Sequence, residues 1–104
     1  MASFNDREKG FEAKFAHDED KRFRAVARRN KLLGLWAAEK LGLSGEAADA
    51  YAKEVVVADF VEAGDEDVIR KVLTDFIAKG VVLTDRHIRM EIESLNNKVL
   101  AEIE

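Results

Sequence analysis

The chain has two histidines and no cysteine, so proton or metal chemistry near neutral pH falls to His17, His87 and the carboxylates around them. A metal site inside a helical protein asks for Glu-x-x-His pairs that face inward, and neither histidine belongs to one. His17 with Asp20 and His87 with Glu91 stand at the neighbour spacing of ordinary helix-surface pairs. Without cysteine there are no disulfides, thiolate metal sites or cysteine nucleophiles. Ser3, Ser44 and Ser94 have no histidine or nucleophile-elbow motif nearby. No G-x-x-x-x-G-K-[ST] or G-x-G-x-x-G phosphate loop occurs, and Gly42 to Gly45 reads as a turn. These residues predict no catalysis, no cofactor and no metal.

Binding remains. At about 100° per residue, Phe4, Phe11 and Phe15 fall within roughly a 40° arc of one helix face. The next positions on that face are Asp18 and Arg22, inside the charged run His17, Asp18, Glu19, Asp20, Lys21, Arg22. The stripe then resumes with Phe23, Val26, Leu33 and Ala37, with Trp36 at its edge. One helical pattern thus carries two apolar patches. The second has the rest of the chain to pack on; the first either docks on a partner or folds back on its own bundle. The cluster Lys21, Arg22, Arg24, Arg28, Arg29, Lys31 is the one candidate nucleic-acid surface. An acidic pI of about 5.3 and the acids at positions 18 to 20 argue against it, since non-specific duplex binding rests on several phosphate contacts. Pairing of these arginines with acids of the bundle or of a protein partner is the expectation.

The elements that position these residues follow from composition and punctuation. The chain has 104 residues, 47% hydrophobic and 37% charged, with fifteen alanines and no proline. That is one domain, and an all-α one, joined by short turns. Net charge is −4, unevenly spread: residues 1–31 carry nine Lys/Arg against six Asp/Glu, and residues 32–104 eight against fifteen. No apolar run approaches the ~18 residues of a membrane span. The charged start has no signal-peptide h-region, and its acids are unlike a transit peptide, so membrane insertion is not expected.

Ser3 or Asn5 can cap a first helical pattern that runs to about Leu41, where Gly42 offers a left-handed stop. Gly10 weakens its first part, and an isolated helix of that length is marginal in water, so residues 1–17 should be a mobile arm. Ser44 opens a second helix carrying Ala48, Tyr51, Ala52, Val55, Ala58 and Val61 to about Glu62. Gly64 and Asp65 mark a tight corner. A third helix shows Ile69, Val72, Leu73, Phe76 and Ile77, and ends at Gly80. Val81, Val82 and Leu83 should tuck against the bundle end before Thr84 and Asp85 start a fourth helix, with the stripe Ile88, Ile92, Leu95, Val99 and Ile103. The expected fold is an antiparallel four-helix bundle with a flexible N-terminal amphipathic arm: residues 1–17 the arm, 18–104 the bundle. Its helices should lie near 20–41, 45–62, 66–79 and 85–103. The expected core is Phe23, Val26, Leu33, Tyr51, Val55, Ile69, Val72, Phe76, Ile88, Ile92, Leu95 and Val99.

The runs F-x-D-R-E, E-x-K-F-A-H-D and F-x-A-x-A-R-R-N-K-L-L-G-x-W-A-A, all between residues 4 and 38, resemble the zeta subunit, the ATPase-inhibitor family of alphaproteobacterial F-type ATP synthases. The likeness extends through the valine-rich stretch to Ala58, Asp59, Phe60 and the corner Gly64, Asp65, Glu66, Asp67, Val68. It implies a regulatory subunit, monomeric when free and cytoplasmic, held at the inner membrane face when bound. It also implies partners: the alpha, beta and gamma subunits of the F1 head, with the N-terminal helix entering an α/β catalytic interface near γ and blocking hydrolysis. Position by position, the resemblance assigns the arm to Phe4, Asp6, Arg7, Glu8, Phe11, Glu12, Lys14 and Phe15, with His17 and Asp18 at its base. Two other classes compete: a helical-bundle adaptor or ligand-binding protein unrelated to ATP synthase, and an RNA or DNA binder.

Overall fold

In a computed structural model the described residues are 19–59 and 65–103. They form four helices, α1 Glu19–Lys40, α2 Gly45–Ala58, α3 Glu66–Lys79 and α4 Asp85–Ile103, packed as the expected antiparallel bundle. The expected helix start at Ser3 or Asn5 and the Gly64 stop lie outside the described residues. α1 is the hub: it runs along α2 for the greatest length, packs next on α4, and also reaches α3.

The turns explain the bounds. After α1, Gly42 takes a positive φ of 81°. Its N–H donates to the Glu39 carbonyl at 3.1 Å while the Leu43 N–H reaches back to Ala38 at 2.8 Å. This paired arrangement satisfies the last carbonyls and needs a residue without Cβ at its left-handed position. α3 ends the same way, with Gly80 bonded to Ile77 and Val81 to Phe76 at 2.9 Å. Leu43 and Val81, the residues after each glycine, then fold onto the core. In the connector Val81 and Leu83 pack against the core, whereas Val82 is exposed, so only alternate residues tuck in. α2 stops at Ala58, short of Glu62. The Asp59 N–H turns to the Val56 carbonyl at 3.3 Å, a tighter bond that closes the helix.

The core joins Leu33, Ala37, Ala38, Tyr51, Val55, Val68, Ile69, Val72, Phe76, Ile88, Ile92 and Leu95. Trp36 sits at its edge, with its ring edge-on to Phe76 at 5.8 Å between centroids. A smaller cluster of Ala25 and Val99, with Val26, Leu32 and Leu100 against it, continues toward the start of α1.

Two expected inward residues point outward. Phe23 is 56% exposed. α1 and α2 cross where Gly34 meets Ala52. From there Phe23 lies eleven residues along α1, whereas α2 ends six residues on at Ala58. At ~1.5 Å per residue Phe23 therefore lies roughly 7 Å past the end of α2, and Ala25 and Val26 meet α4 in its place. Ile77 is 69% exposed, because it lies about 140° around α3 from Val72. Val68, about 40° from Val72 on the other side, is fully buried instead.

Candidate functional site

The ten residues expected to meet a partner, Phe4, Asp6, Arg7, Glu8, Phe11, Glu12, Lys14, Phe15, His17 and Asp18, lie outside the described residues. The structure describes the helix that follows them in the chain, α1, from Glu19 on, and the contacts that fix α1 in the bundle.

The first contact is an absence. A Cβ built on Gly34 would stand 2.5 Å from the Ala52 Cα and 3.1 Å from its Cβ, so only glycine lets the two backbones approach this closely.

The second is a polar knot. Arg29 is 3% exposed. Its Nη2 donates to Asp65 Oδ1 at 2.7 Å and to Asn30 Oδ1 at 2.7 Å; Nε donates to Asn30 Oδ1 at 3.1 Å, and Nη1 to Asn96 Oδ1 at 3.4 Å. One guanidinium thereby ties α1 to the start of α3 and to α4. Asp65 does occupy the residue before α3, but its side chain makes no capping bond, because the guanidinium holds the carboxylate. Asp59 faces the same group. Burial pushes its carboxyl up from the ordinary aspartate range; Arg29 pulls it down, Asp65 and Asp67 push it up, and the Asn30 amide pulls it down. The signal for this knot was in the sequence: Arg29 falls about 40° from Leu33, inside the apolar stripe. Asn96 gave no comparable sign.

Other polar groups link helices nearer the surface. The Tyr51 hydroxyl donates to Asp75 Oδ2 at 2.7 Å. Burial first, then that bond, raise the tyrosine well above its ordinary range. Lys71 bridges Asp75 at 3.0 Å and Glu54 at 3.1 Å, 5.0 Å above the Tyr51 ring. Its burial favours the neutral form, yet the two carboxylates together raise it. Arg89 joins Glu66 of α3 to Asp85 of its own first turn. His87 does not pair with Glu91: its Nδ1 accepts the Thr84 backbone N–H at 3.1 Å, closing the first turn of α4. Arg28 pairs with Glu102 at 2.8 Å, so two arginines of the basic cluster are spent on the bundle's own acids. Among the described residues no three His, Cys, Asp or Glu side chains converge as a metal site, and no helix is long and apolar enough to cross a membrane.

These groups fix four helices in one bundle. The profile of the family described as ATPase inhibitor subunit zeta matches residues 1–102. The chain belongs to this family. No curated protein matches it. A protein solved by solution NMR is 52% identical, with a TM-score of 0.70, over 79% of this chain and 93% of its own. Membership in the zeta subunit family supports an inhibitor role on the ATP synthase and implies interaction with that enzyme. It makes the protein a regulatory subunit by family, and it displaces the reading of an adaptor unrelated to ATP synthase.

Proposed function

We propose that this zeta-family chain blocks ATP hydrolysis by inserting residues 1–17 as an amphipathic helix at an α/β catalytic interface of the F1 head, beside the γ subunit. Residues 18–104 hold that arm. In this reading the chain is a monomer until it binds, and it works at the cytoplasmic face of the inner membrane. The observation that carries the proposal is the family match that starts at residue 1 and so runs across the phenylalanine stripe that the bundle helices do not contain. Burying each of Phe4, Phe11 and Phe15 in a partner groove contributes roughly 1.5 to 3 kcal/mol, read out at i, i+7 and i+11 of a helix in a groove. Fixing a backbone costs on the order of 1 to 2 kcal/mol per residue. The phenylalanines alone therefore cannot order some fifteen residues, so helix hydrogen bonds and charge pairs from Arg7, Glu8 and Lys14 must add to them, with His17 and Asp18 at the base of the arm. The test is ATP hydrolysis by purified cognate F1. The full chain should inhibit, deletion of residues 1–15 should abolish inhibition while leaving thermal unfolding of the bundle nearly unchanged, and Phe11→Ala should weaken inhibition at least tenfold. Full inhibition by the arm-deleted chain would overturn the proposal.

A further inference from the structure

Beside the Gly34–Ala52 crossing, α1 and α2 splay into a groove of about 520 Å³ lined by Lys31, Asp49, Ala52, Lys53, Val56 and Val57. Its floor is apolar. Val57 is 59% exposed, and it closes a run of three valines in the last turn of α2, where β-branched side chains lose rotamer freedom against the preceding turn. Val55 recovers that cost in the core, being fully buried, whereas Val57 is left mostly exposed. An exposed residue that disfavours its own helix and adds an apolar patch marks a contact surface better than a scattered hydrophobe does. Among the described residues neither Lys31 nor Lys53 makes an ion pair, in contrast to Arg28, Arg29, Arg70, Lys71 and Arg89. The charged residues of the lining are these two lysines and one acid, Asp49.

We infer that this groove is a second docking surface, separate from the N-terminal arm, and that it takes an acidic amphipathic helix of the ATP synthase. The nine residues of α2 from Asp49 to Val57 span ~12 Å, the length of about two turns of a partner helix. Such a helix sets its apolar side chains on Val56 and Val57, and its flanking carboxylates reach Lys31 and Lys53. Two weak contacts on one chain act together through their effective concentration, which supplies what the phenylalanine anchors lack for ordering the arm. The inference rests on the reading that the chain engages the ATP synthase.

The test uses the full chain with purified cognate F1. Val57→Glu and the double variant Lys31→Glu/Lys53→Glu alter exposed side chains, so thermal unfolding should stay within a few degrees of the parent. Each should weaken inhibition tenfold or more. Rescue of the lysine double variant by Lys substitutions in the captured acidic helix would complete the assignment. A photo-crosslinking residue at position 57 should yield an adduct with one F1 subunit, mapped to an acidic helical segment. Unchanged inhibition by both variants, or an adduct only with a second copy of this chain or with its own residues 1–17, would overturn the inference while leaving the arm mechanism intact. Failure of the parent chain to inhibit F1 would overturn both, so the two failures are distinguishable.

Discussion

α1 is held at two places five residues apart by opposite means. At Gly34 it meets α2 through the lack of a side chain; at Arg29 it meets α3 and α4 through the largest buried polar side chain in the described structure. The glycine contact gains by close backbone approach and loses only if something is added. The arginine contact is different. Desolvating Arg29 and Asp65 costs several kcal/mol per ion, and the pair about offsets it, so the knot adds little stability yet is costly to break. It is better described as fixing where α1 lies relative to α3 and α4, and α1 is the helix that leads into the arm.

The sharpest way to break this comparison is Arg29→Ala. It leaves Asp65, 12% exposed, without its cation and strips partners from Asn30 and Asn96, so a loss of about 3 to 5 kcal/mol is expected in a denaturant titration. Asp65→Ala combined with Arg29→Ala should cost clearly less than the two single losses added together. Simple additivity would show that the guanidinium and carboxylate act independently. An ordinary core position gives the reference scale. Leu95→Ala, at a residue 7% exposed, should lose about 2 to 5 kcal/mol, and a near-zero change would mean that the α4 seam is packed differently. At the glycine contact, Gly34→Ala pits better helix propensity against a clash with backbone that has nowhere to move. A net loss of about 1 to 3 kcal/mol is expected, and a stabilised variant would show that the helices can slide apart. Tyr51→Phe tests a tie nearer the surface: Lys71 still satisfies Asp75, so the loss should be only about 0.5 to 1.5 kcal/mol.

These sites also separate what periodicity reveals from what it hides. The helix ends at Gly42 and Gly80 and the seam Ile88, Ile92, Leu95, Val99 were legible because a left-handed stop and a repeating apolar face leave direct marks in sequence. Phe23 misled because periodicity gives a direction around a helix and says nothing of how far the neighbouring helix extends. Asp65 has the right type and place for a cap, yet a long-range partner took its side chain. Gly34 looks like a helix weakener until Ala52 is known to lie against it, and Asn96 looks like surface until Arg29 is known to reach it. Long-range pairing is what the pattern omits. The residues from Phe4 to Asp18 rest on the sequence alone, through the stripe and the resemblance.

The smallest expected effect compares the knot with the surface pair Arg28–Glu102 by sign. Burial raises Asp59, so its charged form is disfavoured in the fold. Its favourable contribution is present below the unfolded pKa and is lost as pH rises through the folded one. Glu102 is the reverse: the hydrogen bond from Arg28 lowers it, so its contribution is present above the unfolded pKa and is lost as pH falls through the folded one. At about pH 7, Asp59→Asn should therefore raise the unfolding temperature slightly, whereas Glu102→Gln should lower it slightly. Both differences should shrink as pH falls toward about 3, where carboxylates protonate. Thermal unfolding of the three proteins across that range decides the matter. A less stable Asp59→Asn at pH 7 would mean that the pull of Arg29 outweighs burial, and Asp59 would then belong to the knot as a second anion for the guanidinium.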